Sequence, residues 1–242
     1  EVPVVHFPEF GILPYERLGP DPFTLSRRLR VLGNLHDIGP GSPPLVVASA
    51  HALSQRTVSP DGFKSACLKV KKGYQIDPRK LMSLLAGMGY EIADITEIAG
   101  QTSRRGGIVD VFSPNNDRPA RIEFFGNEIE GLRWFDPATQ RAEGLADSVS
   151  IIPAREMLME ERDEIEAAFE GLDLSGCSDK ARDILYEDAE AMLEGQWRDA
   201  LYFYAPLFNR NALIDHFPGD SLVVLDDPEG IFAELDDLGS QA

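Results

Sequence analysis

Two neighbouring segments carry residues whose types and spacing could do chemistry. The first is Arg105-Gly106-Gly107-Ile108-Val109-Asp110-Val111-Phe112, and the second runs Arg121-Ile122-Glu123-Phe124-Phe125-Gly126-Asn127-Glu128-Ile129. Gly126-Asn127 can take the positive φ values of a two-residue hairpin turn, which pairs Phe125 with Glu128 and Phe124 with Ile129. Side chains alternate along a strand, so Ile122, Phe124 and Ile129 form an apolar side while Arg121, Glu123, Phe125, Glu128 and Glu130 share the other. An aromatic ring among charges gains nothing on a solvated face. Flanked by arginine, it has the composition of a protein-interface hot spot, with the guanidinium supplying charge-assisted hydrogen bonds.

Other chemistries find less support. A nucleotide-driven motor needs a Gly-rich loop ending in Gly-Lys-Ser/Thr, and the chain has no Gly-Lys dipeptide. Leu222-Val223-Val224-Leu225 reads as a buried strand ending in Asp226 and Asp227, the layout of the magnesium-binding strand in P-loop enzymes. Helicase-type motors place Asp-Glu there. The shorter Asp227 and the fixed backbone of Pro228 misplace a water-activating carboxylate, so the pair reads as a strand-end turn. Glu160, Glu161, Asp163, Glu164 and Glu166 cluster without histidine and read as a solvated helix face. His6, His36, His51 and His216 lie in separate segments, so no metal ligand set is expected. Ser103 lacks the glycines of a nucleophile elbow, and Cys67 and Cys177 read as core thiols of a reducing, cytoplasmic compartment. No catalytic residue and no cofactor is expected.

The elements that must position these residues follow from pattern. Val4–Phe7 and Leu45–Ala48 read as strands, the second buried on both faces; between them Asp21 caps a helix with Pro22 at its first position, striped by Leu25, Leu29 and Leu32 and stopped by Gly33. From about Ser65 the pattern changes to alternation, then a helix capped by Asp77 and ended by Gly89, then strands near 90–98, 107–112, 120–125, 128–135 and 149–152. After Pro153 helices return, one capped by Ser178, followed by the Ser221–Leu225 strand and a last helix near 230–238. The expected architecture is an α/β domain, residues 1–64 and 156–242, split by an inserted α+β, β-rich domain of residues 65–155.

Charge sharpens the division. The net charge is −18, yet bases and acids balance before residue 156, and the excess acid lies in the last third. That surface repels phosphate and makes a poor DNA face. No apolar run of about 18 residues predicts a membrane span, and no charged-then-apolar leader predicts secretion. The chain opens at Glu1 on a strand already under way, which points to a fragment of a longer protein.

The segments from Arg105 to Ile129, with Phe135-Asp136-Pro137-Ala138-Thr139-Gln140-Arg141, resemble the UvrB homology module of bacterial repair proteins. The resemblance extends over Leu13-Pro14-Tyr15-Glu16, Ser26-Arg27-Arg28-Leu29, Ala205-Pro206-Leu207-Phe208 and Phe217-Pro218. It is nearer to the transcription-repair coupling branch than to the helicase UvrB, because the chain has neither a Tyr-rich damage-probing hairpin nor an Asp-Glu motor strand. It implies a degenerate RecA/P-loop-like α/β domain split around a UvrA-binding domain, whose UvrA contacts fall on Arg105, Arg121 and Phe125, with Arg104 and Arg133 as lesser contributors. The expected role is recruitment of UvrA to link stalled RNA polymerase to nucleotide excision repair, with polymerase and DNA bound by regions outside this chain. The alternative is part of an active UvrB-like ATP-dependent repair helicase.

Overall fold

Helix starts in this chain reuse one device, a short polar cap followed by proline. Asp21 accepts from the backbone N–H of Thr24 before α1 (Pro22–Leu35), Ser59 from Gly62, and Asp77 from Arg79. Proline presets the helical φ and lacks the N–H that would go unsatisfied, while each cap is worth about 1 kcal/mol. The computed structural model describes residues 2–12, 16–36, 44–158 and 162–241, and is mixed α and β. Leu13-Pro14-Tyr15 and Glu160-Glu161 lie outside the described residues.

The first part runs β1 (Val4–Phe7), α1, β2 (Leu45–Ala48), α2 (Ala50–Ser54) and α3 (Pro60–Ala66). β1 and β2 pair in parallel, Val5 opposite Val46 and Phe7 opposite Ala48. Those four residues face a core with Leu29, Leu32, Ala52, Val58 and Phe63. The other face is uncovered: Val4, Leu45 and Val47 are 68, 53 and 49% exposed. β2 is therefore buried on one face, not two. Gly33 lies inside α1 and does not stop it; a Cβ there would meet Ile152 Cδ1 at 3.4 Å, so the glycine serves a close helix approach.

The middle part runs β3 (Leu68–Lys71), α4 (Pro78–Gly87), β4 (Glu91–Ile92), β5 (Gln101–Arg105), β6 (Ile108–Val111), β7 (Ala120–Phe125), β8 (Glu128–Phe135), β9 (Ala142–Leu145) and β10 (Ser148–Ile151). β4 to β9 form a six-stranded sheet in sequence order, antiparallel except for the β4–β5 pair, and β3 pairs with β10. One sheet face packs with Leu81 and Leu85 of α4 and Val70, Val149 and Ile151 into a single core. Ile129 and Leu132 are both buried although three apart. A bulge allows it: Glu123 pairs with Gly131 and Phe124 with Ile129, leaving Glu130 as the extra residue.

The last part holds α5 (Arg162–Glu170), α6 (Asp179–Leu193), a 3-10 turn at Asp199–Tyr204, α7 (Ala205–Phe208), a second at Leu213–His216, and α8 (Pro228–Gln241). Ser221–Leu225 is not a strand. It has no ladder partner, and Leu222 and Val224 are 88 and 77% exposed. A turn from Ser221 N–H to the Pro218 carbonyl, 3.0 Å, redirects the chain into the run. At its exit Asp227, with φ of 54°, caps α8 through Gly230 N–H at 3.2 Å. An apolar run becomes a strand only where a sheet edge receives its backbone groups, and none does so here among the described residues. Asp226 and Asp227 thus belong to a helix start.

Arg28 ties these parts together. Its side chain and that of Glu156 are both fully buried, with Nε donating to Oε1 at 2.6 Å and NH2 to Oε2 at 3.0 Å. NH1 donates to the Pro8 carbonyl and to Gln55 Oε1, and the guanidinium lies 4.0 Å from the ring centres of both Phe7 and Phe10. Glu156 N–H donates to the Tyr202 hydroxyl, and its carbonyl accepts from Asn209 Nδ2. Elsewhere tertiary packing brings His36 Nε2 within 2.8 Å of His216 Nδ1, while His216 Nε2 donates to the Val58 carbonyl at 2.9 Å.

Two outcomes follow. Glu156→Ala strands a buried guanidinium and lowers unfolding free energy by about 3–5 kcal/mol, whereas Arg28→Met with Glu156→Leu loses less, because no charge is left unpaired; urea titration measures both. Burial lowers the pKa of His216 below its usual 6.5. The unfolded chain then binds the extra proton, so stability present above that value falls as pH drops through 6.5 toward the folded-state pKa. Urea midpoints at pH 7.5 and 5.5 should differ, and His216→Gln should shrink the difference; equal shrinkage failure in a matched series assigns it to other groups.

Candidate functional site: one face of the six-stranded sheet

The ladder register assigns side chains to faces strand by strand. Ser103, Asp110, Arg121, Arg133 and Leu145 are successive cross-strand partners from β5 to β9. Arg105, Ile108, Glu123 and Gly131 form the next row, and Phe125 with Glu128 the one beyond. The rows lie two residues apart on each strand, except that on β8 the extra residue Glu130 makes the step from Gly131 to Glu128 three, so all share the face opposite the α4 core. Arg105 therefore lies on the same face as Arg121 and Phe125. Arg104 pairs with Val109 and lies on the reverse face, its Nε donating to the Gly106 carbonyl at 3.2 Å.

This face has two halves. In the first, Ser103, Asp110 and Phe135 are buried under the segments around Thr96 and Gln140. Thr96 Oγ1 donates to Ser103 Oγ at 3.0 Å, and Gln140 Nε2 donates to the Thr96 carbonyl at 3.2 Å. Gln140 holds a left-handed φ of 60° in a turn where Asp136 Oδ1 accepts from the Thr139 amide and hydroxyl, 2.7 and 2.8 Å, which lowers the Asp136 pKa. Ser103 is thus a structural hydroxyl.

Arg121 sits at the boundary. Its Nε and NH2 donate to the two Asp110 oxygens, each at 2.8 Å, and NH1 reaches the Gln140 carbonyl at 3.4 Å. Its guanidinium lies 4.6 Å from the Phe135 ring centre. Hydrogen bonding to Asp110 raises the Arg121 pKa against the opposing effect of burial. Three of the five guanidinium N–H groups are thus engaged internally, and two remain for a partner. Asp110 was the residue that pattern reading passed over; an acid between Val109 and Val111 inside a strand is the signal that could have found it.

The second half is open. Phe125 is 80% exposed at the hairpin tip, and Gly126 takes the φ of 61° that the turn requires. The tip is strapped along the β8 edge: Gly73 and Ile76 N–H donate to the carbonyls of Ile129 and Asn127, each at 2.8 Å, and Gln75 Nε2 donates to Glu128 Oε2 at 2.9 Å. Arg105 is exposed, with NH2 donating to the Asp94 carbonyl at 3.0 Å and no carboxylate paired with it among the described residues. Arg133 Nε lies 3.2 Å from Glu123 Oε1. The arrangement offers an exposed ring on a strapped hairpin, a guanidinium with free donors, and a second held in place by Asp110. That is suited to binding an apolar, acid-flanked surface.

Among the described residues no group of three His, Cys, Asp or Glu could hold a metal, and no helix is long and apolar enough to cross a membrane. Cys67 is pushed up to about 12 by burial, which keeps its thiol protonated, and Cys177 is likewise unpaired in any disulfide.

Residues 68–157 match the family described as the UvrB interaction domain. A transcription-repair-coupling factor of Bacillus subtilis is 30% identical over 238 residues, 93% of this chain and 20% of the relative. One from Myxococcus xanthus is 36% identical over 157 residues, 64% of this chain and 13% of its own length. The UvrABC system protein B of Gloeobacter violaceus is 30% identical over 76% of this chain and 30% of the relative. The chain thus spans a third or less of these relatives. Its sheet-bearing segment belongs to the UvrB interaction domain family, within a chain homologous over nearly its whole length to transcription-repair-coupling factors.

Proposed function

We propose that this chain is a non-catalytic module that recruits UvrA through the open half of the sheet face. The observation that carries the reading is Phe125, 80% exposed on a strapped hairpin tip, on the same face as the exposed Arg105. Phe125 fills an apolar pocket, Arg105 donates charge-assisted hydrogen bonds to acidic groups, and Arg121 adds its two free donors from the position that Asp110 sets. Residues 65–155 act as the inserted UvrA-binding domain, and residues 1–64 with 156–242 as the remnant of a motor-like α/β domain. In the longer protein, RNA polymerase and DNA are bound elsewhere, and UvrA recruitment couples a stalled polymerase to excision repair.

The helicase alternative is weakened at the position where a motor needs its metal-binding acids. Asp227 caps α8, and the preceding apolar run is outside any sheet.

Calorimetric titration of the 242-residue chain with UvrA tests the reading. Truncating a hot spot costs about 2 kcal/mol or more, so Phe125→Ala should weaken binding about thirtyfold with the unfolding midpoint unchanged. Arg105→Ala should weaken it and flatten its salt dependence. Unaltered affinity in both variants sinks the proposal. Asp110→Asn should lower affinity through Arg121 while also lowering stability, whereas Arg105→Ala should leave stability intact.

A further inference from the structure

The open half of the face contains an apolar residue to which no role has been given. Ile108 is the first residue after the Gly106–Gly107 turn, directly opposite Arg105 on β5 and Glu123 on β7. It is 37% exposed, while its neighbour Val109, pointing the other way, is fully buried. Phe125 lies two residues beyond Glu123 on β7, so it is the diagonal neighbour of Ile108, at the roughly 7–8 Å separation that large side chains bridge.

Two of the charges around Ile108 are already occupied. Glu123 is held by Arg133, and Arg121 by Asp110. Arg105 bonds only a backbone carbonyl. Ile108 is thus ringed by Arg105, Glu123 and Phe125 at the middle of the proposed docking face, where hot spots concentrate because surrounding contacts exclude water. Leu145 differs. It is 79% exposed but lies on edge strand β9, beyond Arg133. A single exposed apolar residue at an edge is ordinary.

We infer that Ile108 is a second apolar anchor for UvrA, forming with Phe125 one diagonal strip that fits an apolar pocket rimmed by carboxylate facing Arg105. This rests on the reading of the face as the UvrA-binding surface and adds the residue that sets its shape. Glycines on the turn leave the strip unshielded on the β5–β6 side, so an extra charge at position 108 would be carried into the pocket.

The test is titration of UvrA with the 242-residue chain and its Ile108→Ala, Ile108→Thr, Ile108→Glu, Phe125→Ala and Leu145→Ala variants, each checked for an unchanged unfolding midpoint. Ile108→Ala should weaken binding about tenfold and Ile108→Glu more than thirtyfold. Ile108→Thr, which keeps the branched strand-forming shape, should fall between the parent chain and Ile108→Ala, and Leu145→Ala should stay within about twofold. The Ile108→Ala/Phe125→Ala double variant should lose less than the product of the single losses, because neighbouring anchors share a pocket. If the Ile108 variants bind like the parent chain while Phe125→Ala weakens binding, the inference is overturned and the docking reading stands. If the parent chain does not bind UvrA, both fall.

Discussion

The buried Arg28–Glu156 pair is the interaction on which the remainder of the structure depends. Arg28 sits on the first long helix, and Glu156 follows the strand at which the middle part of the chain ends. The pair therefore fixes where the sheet-bearing segment rejoins the rest. Desolvating two charges is costly, and a well-packed apolar pair could be as stable. What the ion pair adds is direction. The guanidinium also binds Pro8 and Gln55 and lies against two aromatic rings, and Glu156 engages Tyr202 and Asn209 through its backbone. Few alternative packings satisfy all of these groups together.

The six-stranded sheet presents a surface from that root, backed by the α4 core. Its α4 side holds the core, and its other side divides into a sealed half and an open half. The sealed half is polar but satisfied internally, through Thr96, Ser103, Asp110 and Gln140. It holds Arg121 between the Asp110 carboxylate and the Phe135 ring. The open half keeps its ring, its isoleucine and one guanidinium in solvent.

Much of this was legible from local signals. Asp-Pro caps report on three or four residues, so α1 and α4 could be placed from sequence. Gly126-Asn127 marked the hairpin, and parity put Phe125 and Arg121 on one face. Where the expectations failed, the deciding factor was distant in sequence. Gly33 stops nothing because Ile152 packs against it. The Leu222–Leu225 run has strand-like composition, yet composition cannot supply a sheet edge. β5 and β9 escaped notice because Gln101–Arg105 and Ala142–Leu145 are polar or small, and their pairing comes from neighbouring strands.

The sequence by itself determined the cap positions, the hairpin turn, the alternation that exposes Phe125, and the resemblance that pointed to UvrA. These rest on φ preferences and a two-residue period, which act within a few residues. Only the tertiary structure decided that Arg105 and Ile108 join the same face, that Asp110 occupies Arg121, and that Asp227 caps a helix. Each depends on strand register or on a contact across the chain. Register is set by the packing of a whole sheet, and no short stretch of residues encodes it.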